Sequence, residues 1–488
     1  MLTGAYGIFV LIYRAILTIR YPYGVNLGEP ALSQAIRFFS EGKNPYHDLS
    51  YPPFSLVPYG PVYICLTAFL RHWLPAPFVG GRAVCFLSTV CAAVLIYLIL
   101  RKNNLRRGLA IVPVFIFLSH PYIVRWGVQV NVDMMGVCLS LAAFYFLWLS
   151  VLEEGNSKKY LILGIFFSSI AFFTKSSMMA CPAAFFWSLI VQKRFKKAFL
   201  FFLFLAICVG LTYTSLNGWT HGGYFYHTTY EISKRSFYPI FIYQSWISAI
   251  KLSPLLFGIS LAGLGGIVKD GARRFLYLYL FFVLLLTLSL GKQGSDTNYF
   301  LEWCAVSSLV LGIVLDKLLS NGTQNKKSII KTTGEVLTSL ILIGQIGFWT
   351  YPYHDLKKVA NGYKISQEFF DHISLLIKKT PGKMLIQDMS LLTANDKEIF
   401  YEPFPMAQMS YSGVWDPKPI LDDLDQKNIS LVILFFYTPV LRAERSFTPA
   451  FMKMFNARYQ LIGHATPPAD GNRELTGHTL YFYRPKKD

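Results

Sequence analysis

Residues 79–107 read VGGRAVCFLSTVCAAVLIYLILRKNNLRR, an apolar run followed at once by four basic residues. A helix that spans a bilayer needs about 20 predominantly apolar residues. Loops that remain in the cytoplasm are enriched in Lys and Arg. The stretch therefore predicts a transmembrane helix whose carboxyl end faces the cytoplasm.

The same combination of apolar run and basic cluster recurs along the chain. Eleven spans are predicted, at residues 4–20, 78–100, 109–125, 132–151, 160–176, 178–192, 197–215, 252–268, 274–290, 299–316 and 333–351. Basic clusters follow the even-numbered spans, within residues 101–107, 158–159, 193–197, 269–274 and 317–331. We therefore predict that the N-terminus and these loops are cytoplasmic, and that the chain after the last span lies outside.

Composition agrees with a multi-pass membrane protein. Of the 488 residues, 53% are hydrophobic and only 15% are charged, whereas soluble proteins carry about 25% charged residues. The net charge is +19, but residues 352–488 hold 17 basic and 15 acidic residues, so the excess lies in the first 351. Nucleic-acid binding would need a basic face on a soluble domain, and the distribution of charge disfavours it.

Two domains are expected: a transmembrane domain over residues 1–351 and an extracytoplasmic α/β domain over residues 352–488. The second has a helical apolar period over 363–379 and short apolar runs at 383–387, 431–436 and 478–483, which predict strands. It has no phosphate-cradling glycine loop, and a capping or packing role is favoured. The seven cysteines include no C-x-x-C pair, so neither a disulfide framework nor a thiolate metal site is predicted.

Two long loops are expected on the outer side. The first, residues 21–77, contains a polar helix-compatible segment at 31–42 and an amphipathic segment at 59–73, read as a helix in the membrane interface. The second, residues 216–251, is rich in Gly, Tyr, His and Trp. We expect it to lie along the membrane surface.

Polar residues concentrate at the outer ends of the predicted spans. They are Glu29, His47, Asp48, Arg82, Arg125, Asp133, Lys175, Lys292, Asp296, Asn298, Tyr299 and Glu302. A charge within a span costs about 2.5–3.5 kcal/mol on insertion scales and usually faces an interior cavity. Snorkelling or helix capping is the ordinary alternative, and it carries as much weight as function for Arg82 and Lys292. The set predicts an outward-opening cavity of mixed charge.

Such a cavity suits a lipid donor that carries a phosphate. Lys and Arg neutralise a phosphate and stabilise it as it leaves, while a carboxylate accepts the proton of an attacking hydroxyl. A transporter of lipid-linked sugars or of solutes could use the same residue types. Transporters more typically show two similar halves with broken helices near the midplane, and the sequence has no such repeat.

Four segments, in order, resemble the bacterial GT-C glycosyltransferases that use polyprenyl-phosphate sugars, the group of the protein O-mannosyltransferases and the lipid A aminoarabinose transferase. They are GEPALSQAIRFFSEGKNPYHDLSYPPFSLVPYGPVY at 28–63, RWGVQVNVDMMGVCLSLAAFYFL at 125–147, FFTKSSMMACPAAFF at 172–186 and GKQGSDTNYFLEW at 291–303. Within the first, Glu29, Gly42–Tyr46 and Tyr59–Tyr63 match the family pattern, and Asn131 replaces an arginine in the second.

The resemblance implies an inverting glycosyltransferase whose catalytic residues are Glu29, as general base, and Asp133, which would orient a substrate or an ion. Lys175 is expected to bind the donor phosphate. The other substrate-binding candidates are Arg125, Asp48, His47, Tyr59, Lys292, Asn298, Tyr299 and Glu302, followed by His221 and His227.

The implied partners are a polyprenyl-phosphate sugar donor, a lipid, glycan or protein acceptor, and membrane lipids. No metal ligands are predicted, because the first loop has Gly28–Glu29 and not two adjacent carboxylates, although a divalent cation is left open. The implied location is the bacterial cytoplasmic membrane, with the active site on its outer side. A lipid-linked sugar flippase or solute transporter is the alternative function.

Overall fold

The structure is a computed structural model that describes residues 1–269, 273–320, 329–435, 446–472, 475 and 477–487. Lys326 and Lys327 of the last basic cluster and Phe436 of one predicted strand lie outside the described residues. Helices dominate the first 350 residues, and a small sheet with further helices follows.

The helices of the first part are α1 Leu2–Arg20, α2 Glu29–Ser40, α3 Pro61–Leu70, α4 Val79–Lys102, α5 Arg107–Ser119, α6 Pro121–Trp126, α7 Asp133–Leu152, α8 Ser157–Thr174, α9 Ala180–Val191, α10 Phe195–Trp219, α11 Gly223–Phe225, α12 Glu231–Lys234, α13 Pro239–Leu252, α14 Pro254–Leu264, α15 Gly266–Lys269, α16 Arg274–Leu286, α17 Leu301–Ser320 and α18 Ile329–Thr350. Helices are present in both predicted segments of the first outer loop, as α2 and α3.

Six helical stretches among the described residues are long and apolar enough to cross a membrane. They are Leu2–Arg20, Val79–Lys102, Asp133–Leu152, Phe195–Trp219, Arg274–Gly291 and Thr297–Leu318. A bent pair, α13 with α14, would make a seventh. The chain is therefore a protein with several membrane-spanning helices, and the count of eleven spans stays a prediction.

Prolines account for two differences between predicted and observed helices. The predicted span 109–125 is divided into α5 and α6 at His120, because a residue before proline is driven to extended backbone. His120 caps α6, and its Nδ1 accepts from the backbone N–H of Tyr122 at 3.1 Å. Pro254 likewise follows Ser253, where α13 and α14 meet at a bend of 107°.

The C-terminal part contains the helices α19 Leu356–Lys379, α20 Ser390–Ala394, α21 Pro403–Tyr411, α22 Lys418–Asp425 and α23 Pro449–Arg458. Its strands are β1 Lys383–Ile386, β2 Ile429–Leu434, β3 Tyr459–Ala465 and β4 Leu480–Pro485. The sheet order is β1-β2-β4-β3, with β1 and β2 parallel and the other pairs antiparallel. The three predicted strands are present as β1, β2 and β4, and the sequence analysis missed β3.

Both faces of this sheet pack against the first outer loop. Residues that alternate along β1 and β2 face opposite sides, as the strand period requires. One side contributes Ile386 and Ile433 to a core that contains α19 and Tyr21. The other contributes Val432 to a core that contains Phe54. The first outer loop thus lies between the membrane helices and the C-terminal part. The polar residues described below gather around this loop.

Candidate active site

Three of the polar segments meet at a buried ion pair. Asp133 is the first residue of α7, and Lys175 follows the last residue of α8. Lys175 Nζ lies 2.5 Å from Asp133 Oδ1, with side-chain exposures of 8% and 1%. The ammonium also sits 3.9 Å from the centroid of the Tyr299 ring, a cation–π contact. Asn298 Nδ2 donates to Asp133 Oδ2 at 3.0 Å.

Local structure explains why these groups are held. A carboxylate at a helix N-terminus is stabilised by the helix dipole, and the backbone N–H of Asp133 donates to Asn131 Oδ1 at 2.7 Å. Asn298 Oδ1 is buried and has no hydrogen-bond partner among the described residues. Because buried acceptors normally have a partner, this oxygen can accept a hydrogen bond from a ligand.

Glu29 forms a different network, centred on Arg82 of α4. Arg82 Nη2 donates to Glu29 Oε2 at 2.6 Å, and Arg82 Nε donates to Oε1 at 3.1 Å. The backbone N–H groups of Val25 and Val130 donate to Oε2 and Oε1 at 2.9 and 2.5 Å. Glu29 and Arg82 are both completely buried.

This geometry gives no support to Glu29 as a general base. Both of its oxygens already accept two hydrogen bonds, and neither is accessible to an acceptor hydroxyl. Arg82 also donates to the backbone carbonyls of Thr18, Tyr21 and Tyr23. The Glu29–Arg82 pair therefore holds the segment that follows α1 against α4. Its role is to position the loop.

A cavity of about 150 Å³ lies beside the first outer loop. Its polar lining includes Tyr59, Glu231, Arg235 and Glu402. It shares Gly28, Gly294, Glu402, Phe404 and Pro405 with a neighbouring cavity of about 570 Å³ that reaches Asp296. We call the two cavities with this common lining the chamber; it lies between the outer loops and the C-terminal part.

Arg235 presents a guanidinium to this chamber. Arg235 Nε and Nη2 donate to Glu231 Oε1 and Oε2, each at 2.9 Å, which fixes the plane of the group. Arg235 Nη1 has no hydrogen bond to any described residue, and a Cβ atom added at Gly294 would lie 3.2 Å from it. Gly294 has φ +81°, a conformation that favours glycine. Glycine at 294 therefore leaves open space in front of the guanidinium.

Glu402 enters the same chamber from the C-terminal part. Its side chain is 7% exposed, and its Oε2 accepts from the backbone N–H of Leu56 at 2.9 Å. Burial raises the pKa of the Glu402 carboxyl to about 7, against the opposing effects of the Leu56 N–H and the Arg235 charge. The protonation state of Glu402 therefore changes near neutral pH.

Tyr59 connects the chamber to the Asp133–Lys175 pair. It lines the chamber, and burial together with the Asp133 carboxylate raises the pKa of its hydroxyl to about 12. The phenol therefore stays protonated at neutral pH and can donate a hydrogen bond. Its carbonyl oxygen accepts from the hydroxyl of Tyr46 at 2.8 Å, which holds this part of the loop.

Three predicted binding residues have other surroundings. Arg125 is exposed, with its guanidinium carbon 5.2 Å from the centroid of the Trp126 ring. Lys292 is half-buried, and its backbone pairs with that of Phe237. Glu302 is buried in α17, where Oε1 accepts from the Tyr279 hydroxyl at 2.6 Å. None of the three has a hydrogen bond or ion pair to Asp133 or Lys175 among the contacts of the described residues.

The predicted histidines and Asp48 lie in a separate cleft. His47, Asp48 and His221 line a space of about 910 Å³ that Trp415 and Asp416 complete. Asp48 Oδ1 accepts from the backbone N–H of Ser50 at 2.9 Å, which lowers the pKa of its carboxyl.

His227 contacts the same loop through both ring nitrogens. Its Nδ1 accepts from the backbone N–H of Val57 at 3.1 Å, and its Nε2 lies 2.8 Å from the carbonyl oxygen of His47. Burial lowers the pKa of His227 to about 4. It is therefore neutral at physiological pH and holds the loop.

The sequence analysis missed Glu231, Arg235 and Glu402. The signal that was available is the (i, i+4) spacing of Glu231 and Arg235, which favours an ion pair on one helix face. A π-helical turn, Tyr226–Tyr230, precedes them, and such turns are frequent at functional sites. No corresponding signal marks Glu402.

The donor set of the site does not fit a metal ion. Among the described residues, no group of three or more His, Cys, Asp or Glu side chains is arranged to hold one. Glu29 and Asp133, the acids from which a cation site would be built, are engaged by Arg82 and Lys175. No step of the reaction proposed below therefore runs through a metal.

Comparison with known proteins bears on this arrangement. Residues 61–217 match the family model of dolichyl-phosphate-mannose-protein mannosyltransferases. No curated protein sequence matches the chain. The family model covers α3 to α10 and therefore contains both Asp133 and Lys175.

Solved structures share the fold over almost the whole chain. ArnT from Cupriavidus metallidurans bound to undecaprenyl phosphate is 10% identical with a TM-score of 0.61, covering 99% of this chain and 97% of that one. The apo form of the same ArnT is 11% identical with a TM-score of 0.58, covering 98% of this chain and 97% of that one. The Archaeoglobus fulgidus oligosaccharyltransferase tethered with an acceptor peptide is 12% identical with a TM-score of 0.52, covering 99% of this chain and 76% of that one.

The family match over residues 61–217 and the shared fold both agree with the resemblance to GT-C membrane glycosyltransferases that the sequence motifs predicted. Within that class the similarity to ArnT extends through the C-terminal part, since nearly all of both chains is covered.

Proposed function

We propose that the chain transfers a sugar from a polyprenyl-phosphate donor to an acceptor at the outer face of the cytoplasmic membrane, with inversion at the anomeric carbon. The observation that carries this proposal is the Arg235 guanidinium, which is held by Glu231 and lines the chamber with its Nη1 beside Gly294. A planar, permanently charged donor group of this kind suits a phosphate.

The donor phosphate would bind at Arg235, with the lipid tail along the apolar helices. Lys175, whose charge acts on Tyr59, adds a second cation, which Asp133 partly balances. A phosphate in this position leaves more easily because cations stabilise the negative charge that develops on it. The unpartnered Asn298 Oδ1 suits a sugar hydroxyl as hydrogen-bond donor.

The proposed side of the membrane follows from the basic clusters. Arg101, Lys102, Lys158 and Lys159 lie at the opposite ends of their helices from Arg82 and Lys175. Because basic loops stay in the cytoplasm, the chamber is assigned to the outer side. The similarity to ArnT, whose structure contains undecaprenyl phosphate, supports a polyprenyl donor. The acceptor class stays open among lipid, glycan and protein.

The purified chain in nanodiscs tests the proposal. We expect it to bind undecaprenyl phosphate, and to release that lipid from undecaprenyl-phosphate sugars only when an extract of envelope glycolipids, glycans or proteins is added. The Arg235→Met variant should bind the lipid more weakly, whereas Lys378→Met, on the exposed end of α19, should bind it like wild type. Movement of labelled lipid across vesicles without cleavage of the sugar–phosphate bond would establish the transporter alternative and overturn the proposal.

A further inference from the structure

Glu402 is fixed in the chamber by backbone pairing between two distant parts of the chain. The N–H of Phe54 donates to the carbonyl oxygen of Phe400 at 2.7 Å, and the N–H of Glu402 donates to that of Phe54 at 2.8 Å. The N–H of Leu56 then binds Glu402 Oε2 at 2.9 Å. The carboxylate therefore has a defined position before any substrate arrives.

One oxygen of Glu402 remains free for chemistry. Glu402 Oε1 has no hydrogen-bond partner among the described residues, and the side chain lines both cavities of the chamber. Glu231, Arg235 and Tyr59 line the chamber with it. A substrate held at Arg235 would therefore lie in the same cavity as the Glu402 side chain.

The other acids near the chamber are engaged or exposed. Glu29 accepts four hydrogen bonds and is completely buried. Asp133 binds Lys175 and Asn298. Glu231 uses both oxygens on Arg235. Asp296 is exposed and caps a short helical turn through the N–H of Thr297. Within this group of described acids, Glu402 alone combines burial with a free oxygen.

We propose that Glu402 is the general base of the transfer reaction, so that the C-terminal part completes the active site. This inference rests on the proposed function. As the acceptor oxygen forms its bond to the anomeric carbon, Glu402 Oε1 takes the proton of the acceptor hydroxyl. The bond from that carbon to the phosphate oxygen breaks, and the polyprenyl phosphate leaves with the electron pair.

Arg235 supports this role by its charge. It lies near Glu402 and favours the carboxylate form, whereas Glu231 opposes it. A base acts in its deprotonated form, so transfer should increase as the pH rises through about 7, where Glu402 ionises. Tyr59 titrates far above this range and His227 far below it.

The Glu402→Gln variant tests the inference in acceptor-dependent release of undecaprenyl phosphate. Glutamine keeps an oxygen to accept from the Leu56 N–H, so the fold and donor binding should be preserved. Loss of a general base lowers the rate by about 10²–10⁴-fold, and we expect this range together with loss of the rise in rate near pH 7. Glu398→Gln, four residues earlier and exposed, is the matched control and should behave as wild type.

The outcomes separate the two proposals. A wild type that transfers sugar and a Glu402→Gln variant that transfers at a similar rate would overturn the role of Glu402 and leave the proposed function intact. A wild type with no transfer to any acceptor class would overturn both. If Glu402→Gln fails to fold, the wild-type profile decides, because a rate that stays constant between pH 6 and 8 contradicts a base that ionises there.

Discussion

Lys175 and Asp133 are 42 positions apart in the chain, yet their side chains form a buried ion pair of 2.5 Å where α8 ends and α7 begins. α7 and α8 are antiparallel neighbours, and Gly164 of α8 permits the approach, since a Cβ there would lie 2.4 Å from Leu147. Tyr299 and Asn298 complete the group from a third segment. The pair therefore joins three of the segments on which function was predicted.

Removing one member of this pair should destabilise the protein. A buried charge left without its partner typically costs about 3–5 kcal/mol, so Asp133→Asn and Lys175→Met should each lower the melting temperature in detergent. The Asp133→Asn/Lys175→Met double variant should lose less than the sum of the single changes. Fluorescence-monitored unfolding measures this, and additive losses would show that the two side chains are not coupled.

Arg235 and Glu231 should differ in their effects on donor binding. Hydrogen bonds to charged groups contribute about 1.5–3 kcal/mol each, so Arg235→Met should weaken undecaprenyl phosphate binding about 10- to 100-fold. Glu231→Gln keeps a hydrogen-bond acceptor for the guanidinium and should have a smaller effect. Calorimetric titration in nanodiscs distinguishes them, and unchanged affinity in Arg235→Met would remove Arg235 from the phosphate site.

Gly294 offers a test of the space in front of Arg235. A Cβ at this position would lie 3.2 Å from Arg235 Nη1, so Gly294→Ala should weaken donor binding by displacing the guanidinium. Gly413→Ala is the matched control, because Gly413 also has a positive φ, +69°, and a Cβ there meets no atom within 4 Å. Both variants carry a backbone cost of about 1–2 kcal/mol. Only Gly294→Ala should lose affinity, and equal affinities would contradict the placement.

Glu29→Gln should act on stability. Glutamine cannot balance the buried Arg82 charge, so we expect a lower melting temperature, with the donor affinity of the folded fraction close to that of wild type. Measurement of both quantities on the same preparation checks this. A variant of normal stability whose turnover falls by about 10²–10⁴-fold would restore Glu29 as the base.

The orientation in the membrane predicts a pattern of cysteine labelling. In a background without native cysteines, Cys at position 412 should react with an impermeant maleimide in intact cells, and Cys at position 156 only after lysis. Ser412 and Asn156 are both exposed, so access to reagent depends on the side of the membrane. The reverse pattern would place the chamber in the cytoplasm.

The sequence predicts that Asp133 and Lys175 lie at one level, because each stands where an apolar helix meets a loop assigned to the outer side, but it does not predict their ion pair. Topology then places the ends of neighbouring helices at one level, so residues far apart in sequence can meet. The same argument predicts that Arg125, Lys292 and Glu302 share that level, but it says nothing of the direction of each side chain. In the structure these three have other contacts.

Sequence periodicity does not predict the long-range contacts of Glu29, Arg235 and Glu402. The partner of Glu29 is Arg82, 53 residues later, and nothing in either segment specifies that pairing. Arg235 directly follows α12, and its (i, i+4) spacing to Glu231 favours their ion pair but does not place it in the chamber. Glu402 reaches the chamber only because residues 400–402 pair with the first outer loop. Contacts of this kind arise from tertiary packing and leave no repeating pattern in the sequence.

The hydrogen bonds between the C-terminal part and the first outer loop would also hold together two separate fragments of the chain. Gln34 and Ile399 exchange hydrogen bonds, the N–H of Ile399 to Gln34 Oε1 and Gln34 Nε2 to the Ile399 carbonyl oxygen, and Trp415 Nε1 donates to the carbonyl oxygen of Leu49. These bonds do not depend on the peptide connection near residue 352. Two fragments expressed separately therefore retain a specific means of reassembly, whereas the first fragment alone would have a catalytic chamber open on one side.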